Sequence, residues 1–113
     1  DHVSPWRSVY KIHLSTSTDT TFILAAGGHN AGIVSEPGHP RRSYQIGRVQ
    51  AGHDWVDPDA WIATAPRREG SWWEAWNQWL QEQSSGPCPA RRIAQSSVEC
   101  DAPGTYVMVR YAD

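Results

Sequence analysis

The apolar run Phe22-Ile23-Leu24-Ala25-Ala26 is the longest unbroken hydrophobic stretch of the chain, and Gly27-Gly28-His29-Asn30-Ala31-Gly32 follows it directly. Continuous apolar character with aromatic and β-branched members predicts a strand buried on both faces, the kind found in parallel sheets. The two glycines allow a tight exit from the sheet, which sets His29 in a crevice at the strand's carboxyl end. Upstream, Ser4-Pro5 reads as a helix start, with Ser4 as cap and Pro5 at the first helical position. Trp6, Val9, Tyr10 and His13 then fall on one face of a helix over 5–14, and the polar run Ser15–Asp19 ends it. Helix, loop and buried strand in that order make half of an α/β unit, whose parallel neighbour strand is expected upstream of this sequence.

Downstream the pattern loosens. Pro37, Gly38, Pro40, Gly47, Gly52, Pro58 and Pro66 interrupt the chain so often that residues 31–68 read as a long irregular excursion, and such loops favour a functional surface. Within it, Asp57-Pro58 signals a short helix reaching about Ala63. Ser71-Trp72-Trp73-Glu74 has the form of a capping box and predicts a second amphipathic helix. Trp72, Trp73, Trp76, Trp79 and Leu80 share one side of it, and Gly86-Pro87 ends it. Residues 87–102 read as an irregular linker, and Thr105–Tyr111 as a short terminal strand. The expected class is α/β: helix, buried strand, long irregular segment, Trp-rich helix and short terminal strand. Residues 1–86 form the folded part and 87–113 an irregular tail.

With 113 residues, 39% of them hydrophobic, the chain is one domain or part of one. A formal net charge of −2 gives no electrostatic footprint for nucleic acid or for an anionic membrane. No apolar run is long enough for a membrane span and no secretory leader is visible, so the cytoplasm is the expected location. Cys88 and Cys100 lack CxxC spacing and read as free thiols in a reducing compartment. The chain opens on Asp1 and moves almost at once into a helix signal, which suggests a piece of something longer. Seven tryptophans against a single phenylalanine point to wide apolar faces meant to be covered.

Candidate chemistry centres on His29. A lone histidine at a strand end is usually a hydrogen-bonded structural residue. The alternative comes from chain order: Asp1, placed after one strand, and His29, placed after the next, would meet at the same sheet edge. That is the acid-then-histidine order of α/β-hydrolases. Metal binding is not expected, because His13, His29, His39 and His53 are widely spaced and no HxxxH pair exists. Arg41-Arg42, Arg67-Arg68 and Arg91-Arg92 suit phosphate groups but read more simply as solvated loop charges. The Trp-bearing helix face reads as packing against a sheet, with a surface for polymer or another subunit as the alternative.

Four blocks, Asp1-His2-Val3-Ser4-Pro5-Trp6, Gly27-Gly28-His29-Asn30-Ala31-Gly32-Ile33-Val34, Arg68-Glu69-Gly70-Ser71-Trp72-Trp73 and Ala102-Pro103-Gly104-Thr105-Tyr106-Val107, together resemble the carboxyl-terminal part of polyhydroxyalkanoate synthases. The resemblance implies an α/β-hydrolase fold and a Cys-Asp-His triad that polymerises (R)-3-hydroxyacyl-coenzyme A into polyester with release of coenzyme A. Asp1 matches the triad acid and His29 the triad histidine. His2 and Asn30, their neighbours, are secondary candidates for contacting substrate.

The family's cysteine nucleophile has no counterpart here, since neither Cys88 nor Cys100 stands in a Gly-x-Cys-x-Gly setting. The isolated chain is therefore expected to be inactive. No cofactor is implied beyond the coenzyme A carried by the substrate. Expected partners are the hydroxyacyl-coenzyme A, the growing polyester, further copies of the protein and the polyester granule surface. The rival readings are a non-catalytic module for dimer or granule contacts and a piece of another α/β-hydrolase such as an esterase or depolymerase. The residues upstream of Asp1 would separate them.

Overall fold

The structure is a computed structural model and describes residues 2–110. Helix α1 (Trp6–Tyr10) and helix α2 (Ile12–Ser15) precede strand β1 (Thr20–Ala25). Strand β2 (Ser43–Val49), helix α3 (Pro58–Thr64), strand β3 (Arg67–Glu69) and helix α4 (Trp72–Glu82) follow. The strands form one antiparallel sheet in the order β1-β2-β3.

The single helix expected over 5–14 is instead two short ones broken at Lys11. Its cap position falls on Pro5 rather than Ser4, with the amides of Ser8 and Val9 donating to the Pro5 carbonyl. The break has a local cause. The carbonyl of Tyr10 should accept from the Leu14 amide, but the His13 Nδ1 occupies it at 2.8 Å, and Leu14 turns to the Lys11 carbonyl at 2.9 Å. A carbonyl only accepts, so this His13 nitrogen carries the proton.

The apolar run does form β1, but its described pairing is antiparallel, with β2, and it is not buried on both faces. Phe22 is its one buried residue. Phe22 and Leu24 share the face covered by α1 and α3, where Tyr10, Phe22 and Trp61 make the core. The Phe22 ring meets Tyr10 at 5.1 Å and Trp61 at 5.2 Å, both edge-on, the arrangement favoured by ring quadrupoles. Opposite Phe22 in the ladder stands Gly47, and a Cβ there would lie 2.7 Å from the Trp61 indole nitrogen. The missing side chain is what seats the indole against the sheet. Gln45, on the same face, donates to the carbonyls of Ile62 and Ala65 at 2.8 and 2.9 Å and ties the end of α3 to β2. Burial, and secondly the Asp57 carboxylate, push the Tyr10 phenol up and keep it neutral.

The irregular excursion expected over 31–68 contains β2, the central strand, and the start of β3. Helix α3 forms where expected, with the Asp57 carboxylate accepting from the Asp59 amide and Pro58 in the first turn. The terminal strand expected over Thr105–Tyr111 is absent among the described residues, which end at Arg110, so Tyr111 lies outside them. Tyr106–Met108 is a 3₁₀ turn instead, and from Pro87 to Arg110 every residue except Gly104 is exposed. A strand needs a ladder partner to satisfy its backbone, and none of the described strands pairs with this segment.

One surface interaction fixes the entry to β1. The Asp19 carboxylate accepts from the Ala51 amide at 2.9 Å and from Arg48 at 2.6 Å. These bonds, the amide first, hold its carboxyl below the usual carboxylate range. A depressed folded-state value contributes stability above the unfolded value of about 3.9, lost as pH falls through the folded value. Asp19→Asn is therefore expected to lower the urea midpoint at about pH 6, and the difference from the parent chain should shrink as pH falls below the unfolded value of about 3.9.

Candidate active site

Strand β1 pairs on one side only among the described residues, and a cleft of about 460 Å³ lies against β1 and the residues Ser43, Tyr44 and Gln45 at the start of β2. Every residue from Phe22 to His29 lines it. Ser4, Trp6 and Val9 close it from the amino-terminal side, and Arg67 lines it from β3. The cleft thus takes in the carboxyl end of β1, the end at which open parallel α/β sheets bind ligands.

The backbone that carries His29 is tightly turned. The Ala26 amide donates to the Ser43 carbonyl at 2.8 Å, extending the ladder by one bond past β1. The chain then reverses through Gly27 at φ 121°, a conformation that favours glycine, and a Cβ at Gly27 would lie 2.9 Å from the Gly32 nitrogen. Gly32 donates to the Gly28 carbonyl at 2.7 Å, and Ile33 and Val34 donate to the Asn30 carbonyl at 3.1 and 2.8 Å. Residues 28–34 therefore form a closed, self-bonded turn in which His29 is exposed and lines the cleft.

Of the other candidates, His2 and Asn30 are exposed. Asn30 contributes its carbonyl to the turn. Asp1 lies outside the described residues. Ser4, two positions after His2, lines the same cleft as His29, so the amino-terminal segment and the histidine turn meet at one feature. Among the described residues no group of three or more histidine, cysteine or acidic side chains can hold a metal ion, and no helix is long and apolar enough to cross a membrane. Cys88 and Cys100 are free and exposed, and neither lines the cleft.

Residue patterning did not identify four contributors. Arg67, read as a solvated charge, lines the cleft and donates to the Ser43 hydroxyl at 2.9 Å. Ser71, Trp72 and Trp73, read as a helix start and a packing face, bond to the His29 loop. The Ser71 hydroxyl donates to the Ser35 carbonyl, and the indoles of Trp72 and Trp73 donate to the carbonyls of Gly32 and Ile33 at 2.9 and 2.8 Å. Farther along α4, Trp76 and Trp79 stay 46% and 44% exposed and border an open groove of about 560 Å³ with Ile23 and Ile46 on the second sheet face. No residue of α4 is buried, so its aromatic stripe is only partly covered.

Comparison with known proteins gives the same direction as the motifs. Poly(3-hydroxyalkanoate) polymerase 2 of Ectopseudomonas oleovorans is 38% identical over 114 aligned residues, which cover 97% of this chain and 20% of that protein. The poly(3-hydroxyalkanoate) polymerase subunit PhaC of Rhizobium meliloti (strain 1021) and the poly(3-hydroxyalkanoate) polymerase of Methylorubrum extorquens are each 35% identical over 112 residues, 97% of this chain and 18% of theirs. No family model matches the chain. No solved structure matches it. The chain spans about a fifth of the length of these relatives, and over nearly all of its own length it is related to the poly(3-hydroxyalkanoate) polymerases.

Proposed function

We propose that this chain is the acid-and-histidine segment of a polyhydroxyalkanoate synthase of α/β-hydrolase fold. The observation that carries the proposal is the placement of His29 on a self-bonded turn at the end of β1, beside a cleft that the amino-terminal segment also lines. The relatives named above, each poly(3-hydroxyalkanoate) polymerases, support it. In this reading residues 1–86 complete the catalytic domain, residues 87–113 are its tail, and a parallel strand from the rest of the protein fills the open edge of β1.

The chemistry follows from what an imidazole does beside a thiol. A cysteine from the remainder of the protein loses its proton to His29, and the thiolate attacks the thioester carbonyl of (R)-3-hydroxyacyl-coenzyme A. Coenzyme A leaves as its thiol, taking the proton back from the imidazolium, and the acyl group stays on the cysteine sulfur. The hydroxyl of the next hydroxyacyl-coenzyme A then gives up its proton at the Asp1–His29 pair and attacks the acyl-cysteine. The ester bond forms, the cysteine leaves as its thiol with that proton, and the lengthened acyl-coenzyme A returns to the cysteine by the first step, releasing coenzyme A. Asp1 orients His29 and stabilises its charged form, as the third member of a triad does. His2 and Asn30, flanking these two, contact the substrate. No cofactor beyond the substrate's own coenzyme A takes part.

Self-association and contact with the polyester granule in the cytoplasm belong to the same proposal. The exposed run Tyr106, Val107, Met108 and Val109 supports them, since contiguous exposed apolar side chains mark surfaces that become covered. The test is coenzyme A release from 3-hydroxybutyryl-coenzyme A. The 113-residue chain alone is expected to release none above background. Substantial turnover by the isolated chain, abolished by His29→Ala, would show that a nucleophile lies within it and overturn the proposal.

A further inference from the structure

We infer that Ser71, Trp72 and Trp73 are positioning residues for His29: the first turn of α4 grips the backbone of the histidine loop and fixes where the imidazole stands. Three consecutive side chains donate to three carbonyls within one four-residue stretch, Ser71 to Ser35, Trp72 to Gly32 at 2.9 Å and Trp73 to Ile33 at 2.8 Å. Ser71 also accepts from the Trp73 amide at 3.1 Å, so one hydroxyl joins the helix start to the loop. Successive residues on a helix point about 100° apart. Trp72 and Trp73 nevertheless reach adjacent carbonyls through their indole N–H groups.

On its β1 side the loop leaves the sheet through two glycines, and its backbone bonds, Gly32 to Gly28 and Ile33 and Val34 to Asn30, join it to itself. The carbonyls of Gly32 and Ile33 face outward from that turn, and α4 takes both. A tryptophan N–H is a donor with no acceptor role, so the pair can bind only in this sense. Reaction geometry is sensitive at this scale, since a misplacement of about 1 Å in a catalytic group can cost roughly 100-fold in rate.

The inference rests on the proposed polymerase reaction, and its test separates the two. In the full-length enzyme carrying this segment, Trp72→Phe and Trp73→Phe keep an aromatic ring and remove the donor, while Trp79→Phe, on the same helix without a bond to the loop, is the control. The amides of Gly32, Ile33 and Val34 are expected to exchange hydrogen at least about 10-fold faster in the double variant. Its kcat for coenzyme A release should fall roughly 10- to 100-fold with KM within about twofold, and Trp79→Phe should leave both readouts unchanged. A loss confined to KM, unchanged exchange, or faster exchange with unchanged kcat would each overturn the inference. If the unsubstituted full-length enzyme releases no coenzyme A, the polymerase reading fails, and the exchange rates alone then decide whether the indoles hold the loop.

Discussion

In a full-length polymerase carrying this segment, His29→Ala is expected to lower kcat for coenzyme A release by roughly 1,000-fold or more, with substrate affinity little changed. A free cysteine thiol has a pKa near 8.5, so about a few per cent is thiolate at neutral pH. Without an imidazole to take the proton, both the attack on the thioester and the activation of the incoming hydroxyl lose their base. His29→Gln preserves polarity and approximate size but accepts no proton, and it should fall as far as the alanine variant. A steady-state assay of free thiol release, with KM taken from the same curves, reads the effect. Thermal denaturation of the variants, run beside the assay, separates loss of the base from loss of the loop's structure. A matched loss of stability would mean that the residue holds the loop together.

The second large effect concerns the fold. Trp61→Ala is expected to destabilise the folded chain by about 3–5 kcal/mol, the range for removing a large aromatic from a core. Trp61 is 5% exposed and touches every other member of the small aromatic core: Phe22 at 5.2 Å, Tyr10 at 5.6 Å and Trp6 at 6.2 Å. Its indole also occupies the space that Gly47 leaves open on β2. Removing it leaves a void between Phe22, Tyr10, Trp6 and Gly47, and the loss grows with the part of that void the neighbours do not fill. Urea denaturation followed by circular dichroism checks the figure. A loss below about 1 kcal/mol would show that the core lies elsewhere.

These same residues explain which parts of the structure could be read from the sequence. β1, α3 and the start of α4 carry their causes locally, in an apolar run, an Asp-Pro cap and a serine cap. β2 does not. Ser43–Val49 holds a glutamine, a glycine and an arginine, and Gly47 reads as punctuation when the chain is taken alone. Only the distant Trp61 turns that glycine into a packing feature. The opposite error occurred at Thr105–Tyr111, where β-branched and aromatic residues satisfy strand propensity but Tyr106–Met108 makes a 3₁₀ turn. Strand propensity describes fitness for a pleated, half-buried surface and counts for little where no neighbour supplies one.

The candidate site divides in the same way. His29 and its glycine turn were legible because a strand end followed by glycines has a direct geometric meaning. The hold of Ser71, Trp72 and Trp73 on that turn was not, since those bonds join residues about 36 to 40 positions apart and run from side chain to main chain. Tryptophans at helical spacing read as a packing face. The bonding of the first two is visible only once the loop carbonyls have positions, and it brings two of the matching sequence blocks into contact.

The most direct test of the central claim is a chimera. Replacing the matching fifth of the Ectopseudomonas oleovorans polymerase 2 with this chain supplies the remainder of the enzyme from a relative 38% identical over the aligned segment. If this chain is the acid-and-histidine part of a polymerase, the chimera releases coenzyme A from 3-hydroxyacyl-coenzyme A and forms polymer, and His29→Ala in the chimera abolishes both. A folded chimera that releases no coenzyme A, or one whose activity survives His29→Ala, would contradict it.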